Sequence, residues 1–378
     1  MSVWPLPRIT FRELSSIEEK RPVALLTSEE VWAVLSTQLS LPVLIQAEPA
    51  NYDRDLFDYL AAHLPAQVKV VYAVGQGAPV AAGKLVAARN NIPLVVVPTA
   101  LDSVELFDAQ ARVDAEIDGR LRVTYEEVTP PTEVIVDWGV VQAAPETTRA
   151  AGIVDVLSIV TGLLDWRHAA QKGRNPRSQR FVPWAAGVVT GLAKQAIKSA
   201  AAVGQGSLDD LETLLHLMLT TVHISNQLGH RRIYEGGAHY LAQILATQGN
   251  SALSHAERVG PCLLFVSALH NQPPDPLRTA LESAGVALDR LNPTDVQLVL
   301  RKLPAFLEAY EFPYSILNDL DPESEAVSAA LEAAGLDVEP ETWEVPSEPE
   351  TWEDSSPAED VPGEAPHGTK EAGIDLGA

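Results

Sequence analysis

One cysteine in 378 residues, Cys262, leaves no room for an internal disulfide framework or a cysteine-based zinc cluster. Metal chemistry would fall to His, Asp and Glu. Basic residues are also scarce: 27 Lys and Arg stand against 51 Asp and Glu, a net charge of −24. Nucleic-acid binding depends on clustered Lys and Arg that displace phosphate counterions, so DNA and RNA are poor candidate partners. No run of about eighteen uncharged apolar residues occurs, which argues against a membrane span. The opening "MSVWPLPRITFRELSSIEEKRP" lacks a basic start followed by an apolar core, so no secretory signal is supported and a soluble cytoplasmic protein is expected.

The charge is unevenly placed. From Asp337 onward there are thirteen Asp and Glu against one Lys, half of the net charge in a segment rich in Pro, Glu and Ser. That composition cannot offset its ordering entropy by burial, and residues 337–378 read as a disordered acidic tail. The tail repeats "PETWE" at Pro340–Glu344 and Pro349–Glu353, placing Trp343 and Trp352 among acids. Such a pair is a candidate docking motif for a protein partner, set against the plainer reading of a solubilising tail.

The length predicts two folded domains. From about residue 20 to 145, "PVALLT", "PVLIQA", "VKVVYAVG" and "IPLVVVPT" alternate with amphipathic stretches. Short, near-continuous Val, Leu and Ile runs between helices are the pattern of strands buried on both faces of a parallel sheet. A hairpin turning at Asp118 and Gly119 follows, then a strand at "EVIVD". From Pro145 the pattern is helical. The expected organisation is a doubly wound α/β domain over residues 1–144 and a helical domain over 145–336.

Two constellations could carry chemistry. Gly75 and Gly77 in "VVYAVGQGAPVAAGK" sit where a strand gives way to a helix, where backbone amides and the helix dipole can hold a pyrophosphate. With Val80 in place of a third glycine, the turn is also explained by conformation alone. Among the histidines, His239 follows Gly236 and Gly237, and His255 opens "HAERVGPCLLF". Both fall at predicted helix starts. Asp155 lies among apolar neighbours inside the first long helical stretch, an awkward place for an unpartnered carboxylate. One carboxylate and two imidazoles leave a fourth position open on zinc or a similar ion, as catalytic sites do.

The succession "GQG…GKLVAARNNIPLVVVPTA", "PTEVIVDWGVVQAAPETTRAAGIVDVLSIVTGLLDWRHA", "HRRIYEGGAHYLAQ", "SHAERVGPCLL" and "FPYSILNDL" resembles the glycerol-1-phosphate dehydrogenases. These belong to the group that includes the glycerol dehydrogenases, the iron-containing alcohol dehydrogenases and the dehydroquinate synthases. The resemblance runs from about Pro22 to Leu336. It implies a dehydroquinate synthase-like fold in which a cleft between the α/β and helical domains holds NAD or NADP and one divalent metal, Zn²⁺, Fe²⁺ or Ni²⁺. The family's metal aspartate falls on Asp155, and its two metal histidines fall on His239 and His255. Gly75, Gln76, Gly77, Lys84 and Thr99 become cofactor contacts, and Asp102, Glu105 and Arg232 become substrate contacts. The implied reaction is reduction of a small ketone such as dihydroxyacetone phosphate, its carbonyl polarised by the metal and attacked by nicotinamide hydride. A homo-oligomer is compatible with this reading.

Departures from the family pattern fall at the phosphate turn and around the triad. Gln76 replaces the middle glycine of a triplet, and Ala81 stands where an aspartate is usual. Ala238 replaces a glutamate, and Gln243 replaces a histidine associated with proton relay. These losses motivate a second reading, a catalytically inactive relative that binds or scaffolds through its Trp-bearing tail. A lyase of the dehydroquinate synthase type ranks lower, because "GIVDVLSIVTGLLDW" has no lysine near its acid.

Overall fold

The computed structural model describes residues 3–117, 119–248 and 253–338, and these form one compact unit. The tail expected from 337 onward lies outside the described residues except for Asp337 and Val338, as does Asp118 of the expected turn.

Six parallel strands make the central sheet: β1 (Arg8–Phe11), β2 (Val23–Leu26), β3 (Val43–Ala47), β4 (Val70–Val74), β5 (Leu94–Val97) and β8 (Glu133–Val136), in the order β1-β8-β5-β4-β2-β3. β6 (Gln110–Ile117) and β7 (Arg120–Glu127) form a separate antiparallel hairpin between β5 and β8. Side chains alternate between the sheet's faces. Val23, Leu25, Val70, Tyr72 and Val74 pack with Leu14 and Leu35 on one side. Ala24, Leu26, Val71, Ala73 and Val96 pack on the other, in a core that continues into the helical half. Burial on both faces is why these strands read as unbroken apolar runs.

The helices connecting the strands are α1 (Glu29–Leu35), α2 (Arg54–Ala62) and α3 (Ala78–Asn90). After β8 come α4 (Trp138–Ala143), α5 (Glu146–Arg149), α6 (Ile153–Leu157), α7 (Ile159–Gln171), α8 (Pro183–Gly204) and α9 (Leu208–Leu228). Then follow α10 (Gly237–Ala246), α11 (His255–Leu269), α12 (Asp275–Ser283), α13 (Pro293–Arg301), α14 (Leu303–Tyr310) and α15 (Glu325–Ala334).

Two features differ from the sequence expectation. β1 precedes the first expected strand; it is a four-residue edge strand with a single neighbour, held to β8 by Arg8 and Thr10, which donate to Glu133 at 2.7 Å. Its short, half-exposed sequence carries no buried-strand pattern. The stretch around Asp155 is not one long helix: Ala150–Gly152 and Ser158 break it, leaving Asp155 in the five-residue α6.

The chain passes from β2 through α1 outward to β3, returns to β4, and leaves through α3 in the opposite direction to β5. The carboxyl ends of β2 and β4 therefore flank a topological switch point, where open α/β sheets place their ligands.

Candidate metal centre

Asp155 Oδ1 lies 2.7 Å from His255 Nε2 and 3.3 Å from His239 Nε2, although the residues are 100 and 84 positions apart in sequence. Ligand atoms of all three lie within 4.8 Å of one another. A tetrahedral ion with bonds of about 2.0–2.2 Å separates its ligand atoms by about 3.3–3.6 Å, so the donor set is close to what such an ion requires. A hard carboxylate oxygen with two imidazoles suits Zn²⁺, Fe²⁺ or Ni²⁺.

Local sequence explains how each donor is held. His255 is the first residue of α11, fixed by a capping box in which Ser254 and Glu257 satisfy each other's backbone N–H groups. His239 is the third residue of α10. The other oxygen of Asp155, Oδ2, accepts hydrogen bonds from Val104 N at 2.9 Å and Ser103 Oγ at 3.2 Å. This pair comes from the segment after β5, and Gly152 lets α6 approach it. A Cβ on Gly152 would sit 2.9 Å from Leu101 O and 3.0 Å from Ser103 N. Outer contacts of this kind orient a ligand so that one oxygen faces the ion.

Electrostatics follow the same arrangement. Burial works against the charged form of Asp155, but His255 and His239 outweigh it and hold the carboxyl far below its usual range. Burial also works against a charged His255, and Asp155 again outweighs it, so that ring titrates above an ordinary imidazole. A raised folded-state pKa gives stability that is complete below the unfolded value of about 6.5 and lost as pH rises through the folded value. Metal binding requires the neutral ring and strengthens over the same window. Ion-free protein is therefore expected to lose melting temperature from about pH 6.5 upward while added Zn²⁺ raises it increasingly. Thermal unfolding with and without chelator checks this; parallel curves would contradict it.

Separate cavities border this centre and the ends of the sheet strands. A cavity of about 740 Å³ at the ends of the strands is lined by Val31, Leu35, Gln76, Thr99 and Asp137 among others. Gly75 (φ 127°) and Gly77 (φ 64°) adopt left-handed backbone there, and Gly77 caps α3 without a side-chain bond. A Cβ at Gly77 would press to 3.0 Å from Tyr52 Oη. The Gln76 Oε1 is enclosed and has no hydrogen-bond partner. A narrower cavity of about 30 Å³ connects Gly77, Asp102, Glu105 and His255, and one of about 40 Å³ joins His239 and His255 to Arg112, Tyr125 and Arg258. Burial and then neighbouring Glu105 push the Asp102 carboxyl up to about 7.

Residues 12–145 match the family model of the iron-containing alcohol dehydrogenases. Over that stretch the chain is similar to those enzymes. It is 24% identical over 270 residues to the glycerol-1-phosphate dehydrogenase (NAD(P)+) of Pyrococcus abyssi, covering 71% of this chain and 76% of that one. The protein of the same name from Thermoplasma acidophilum is 24% identical over 314 residues, 82% of this chain and 86% of that one. In fold, the crystal structure of a probable glycerol dehydrogenase from Sinorhizobium meliloti superposes with a TM-score of 0.64 at 17% identity, covering 89% of this chain and 98% of that one.

Two residues expected as ligand contacts are engaged by neighbouring groups of the protein. Lys84 is 1% exposed and spends its three ammonium donors on Asp108 Oδ1 (2.6 Å), Gln110 O (2.7 Å) and Glu105 O. It ties α3 to the start of the hairpin and has no donor left for a phosphate. Arg232, 2% exposed, donates to Tyr240 Oη, Asp165 O and Tyr314 O. It braces the helices and lines a cavity of about 610 Å³ that shares Tyr125, Glu235, Tyr240 and Gln243 with the smaller one beside His239 and His255. Its neighbour Arg231 pairs with Glu235 at 3.0 Å and lies over Tyr125. Gln243, where the family pattern has a relay histidine, donates to Val123 O at 2.7 Å.

Sequence reasoning missed Ser103, Val104, Arg112, Tyr125 and Arg258. Only Arg258 carried a usable signal, since it lies one helical turn after His255 and shares its face.

Proposed function

We propose that this chain is a divalent-metal-dependent NAD(P) oxidoreductase that interconverts a small ketone and the corresponding alcohol, with a polyol or polyol phosphate as substrate class. The observation that carries the proposal is the convergence of Asp155, His239 and His255, with His255 and the Gly77 turn lining one small cavity. Residues 1–144 would bind the dinucleotide and residues 145–336 the metal.

When bound, a divalent ion supplies Lewis acidity to a carbonyl oxygen and NAD(P) exchanges the hydride. Asp155, His239 and His255 hold the ion, and Ser103 with the Val104 N–H fixes which oxygen of Asp155 faces it. The left-handed turn at Gly75–Gly77 and the start of α3 receive the pyrophosphate, with Gln76 and Thr99 on the cavity wall. Asp102, which titrates near pH 7 beside His255, is suited to hold and release a proton at its carboxyl oxygen, and Asp102 and Glu105 present acceptors to substrate hydroxyls. Arg112, held by Asp114, and Arg258, which donates to Leu253 O, border the cavity beside His239 and His255 and bring positive charge near an anionic group on the substrate.

The test is NADH and NADPH oxidation with dihydroxyacetone, its phosphate and other small ketones, in chelator-treated protein reloaded with Zn²⁺, Fe²⁺ or Ni²⁺. Turnover that requires the ion supports the proposal; turnover indifferent to chelation contradicts it. Gln76 offers a further check, because its side chain stands where a backbone should approach phosphate. Gln76→Gly is expected to tighten NADH binding by up to about tenfold, near the worth of one hydrogen bond, in a fluorescence titration. Unchanged affinity would move the phosphate elsewhere.

A further inference from the structure

Asp165 has no exposed surface, lies outside the group of candidate metal ligands, and accepts hydrogen bonds from three other segments. Its Oδ2 accepts Gly237 N at 2.7 Å; its Oδ1 accepts Ile316 N at 2.8 Å and His270 Nε2 at 3.0 Å. These partners are not scattered. Gly237 begins α10, two residues before His239, and Gly236 at the N-cap has no side chain with which to cap that helix. His270 ends α11, the helix that His255 begins. Asp165 itself lies on α7, a helix that Ser158 alone separates from α6, which carries Asp155.

We propose that Asp165 is the positioning residue of the metal centre, a cap supplied by one helix to another that sets the helices bearing all three ligands in register. The inference rests on reading Asp155, His239 and His255 as a metal site. A carboxylate at the start of α10 satisfies an N–H that helix geometry leaves open and meets the positive end of the helix dipole. It thereby fixes the first turn, where His239 sits. The close approach explains Gly236, where a Cβ would meet Asp165 Oδ2 at 2.5 Å. Anchoring of His270 fixes α11 at the end opposite His255, and Ile316 N ties in the segment after α14. Asp165 acts through these groups and touches neither ion nor substrate.

The test uses the full chain, stripped of metal by chelator and titrated with Zn²⁺ against a chromogenic competitor, with NADH binding measured in parallel. Asp165→Asn keeps the shape and removes one acceptor and the charge. Zn²⁺ affinity is expected to fall about 10- to 100-fold, the range for outer partners of metal ligands, while NADH affinity stays within about twofold. His270→Gln, which retains a donor, is expected to bind Zn²⁺ like the parent, and His270→Leu to bind more weakly. Parent-like Zn²⁺ affinity in a folded Asp165→Asn protein overturns the proposal, and so does an equal loss of Zn²⁺ and NADH affinity, which marks general loosening. Should Asp165→Asn not fold, the His270 pair decides: equal Zn²⁺ affinity in His270→Gln and His270→Leu overturns it. A parent chain that binds no Zn²⁺ removes the metal site and the positioning role together, whereas Zn²⁺ binding without turnover leaves this role standing and removes only the proposed reaction.

Discussion

Asp155→Ala is expected to abolish metal binding, because it removes the one anionic donor and leaves His239 and His255 without the oxygen they share. The loss should exceed the ~10- to 100-fold that outer contacts contribute. The same change strands Val104 N and Ser103 Oγ in the core, and the ion-free protein is expected to lose about 1–3 kcal/mol of stability. Asp155→Asn separates the two effects: an amide oxygen can still accept from Val104, so much of the stability returns, but the charge required by the ion does not. Metal titration and thermal unfolding of both variants check this. Full metal occupancy in Asp155→Ala would count decisively against the site.

Gly152→Val should have the second largest effect although residue 152 touches no ligand. Gly152 has ordinary helical dihedrals, so no backbone strain is involved. The obstacle is space. A Cβ there meets Met218 Cε at 2.5 Å, which a flexible side chain can relieve, and Leu101 O and Ser103 N at 2.9 and 3.0 Å, which fixed backbone cannot. Overpacking of this kind costs about 1–3 kcal/mol. It also pushes away the segment that supplies both donors to Asp155 Oδ2, so metal affinity should fall by about 10- to 100-fold. Gly191→Ala is the control: it lies on an exposed face of α8 with nothing within 4 Å of an added methyl, and should stabilise by about 0.5–1 kcal/mol. If Gly152→Val melts and binds Zn²⁺ like the parent, the close approach of α6 to the sheet has no energetic importance.

What could be read from sequence divides along physical lines. β2, β4 and β5 were legible because residues on both faces are buried, Ala24, Val71 and Val96 on one and Leu25, Tyr72 and Val95 on the other, leaving an unbroken apolar run. β1 was not, since Arg8–Phe11 rests against one neighbour and is held in place by Glu133, far away in the chain. Asp155, His239 and His255 could be nominated from residue type, local punctuation and family resemblance, yet their meeting is a property of α6, α10 and α11 packed together. Lys84 and Arg232 show the opposite limit. A cation in a family-like segment looks like a phosphate ligand until its surroundings are known, and the surroundings of Lys84 are Asp108 and two carbonyls brought in by the β6 segment. Asp165 was visible only as one more acid on a helix, because its partners are backbone N–H groups, which every sequence has.

The central claim is that a single divalent ion is shared by one carboxylate and two imidazoles. Crystals soaked in Zn²⁺ and measured on both sides of the zinc absorption edge test it directly. One anomalous peak lying about 2.0–2.2 Å from Asp155 Oδ1, His239 Nε2 and His255 Nε2 is the expected result. Zinc found only at other side chains, with these three still hydrogen-bonded to one another, would contradict it.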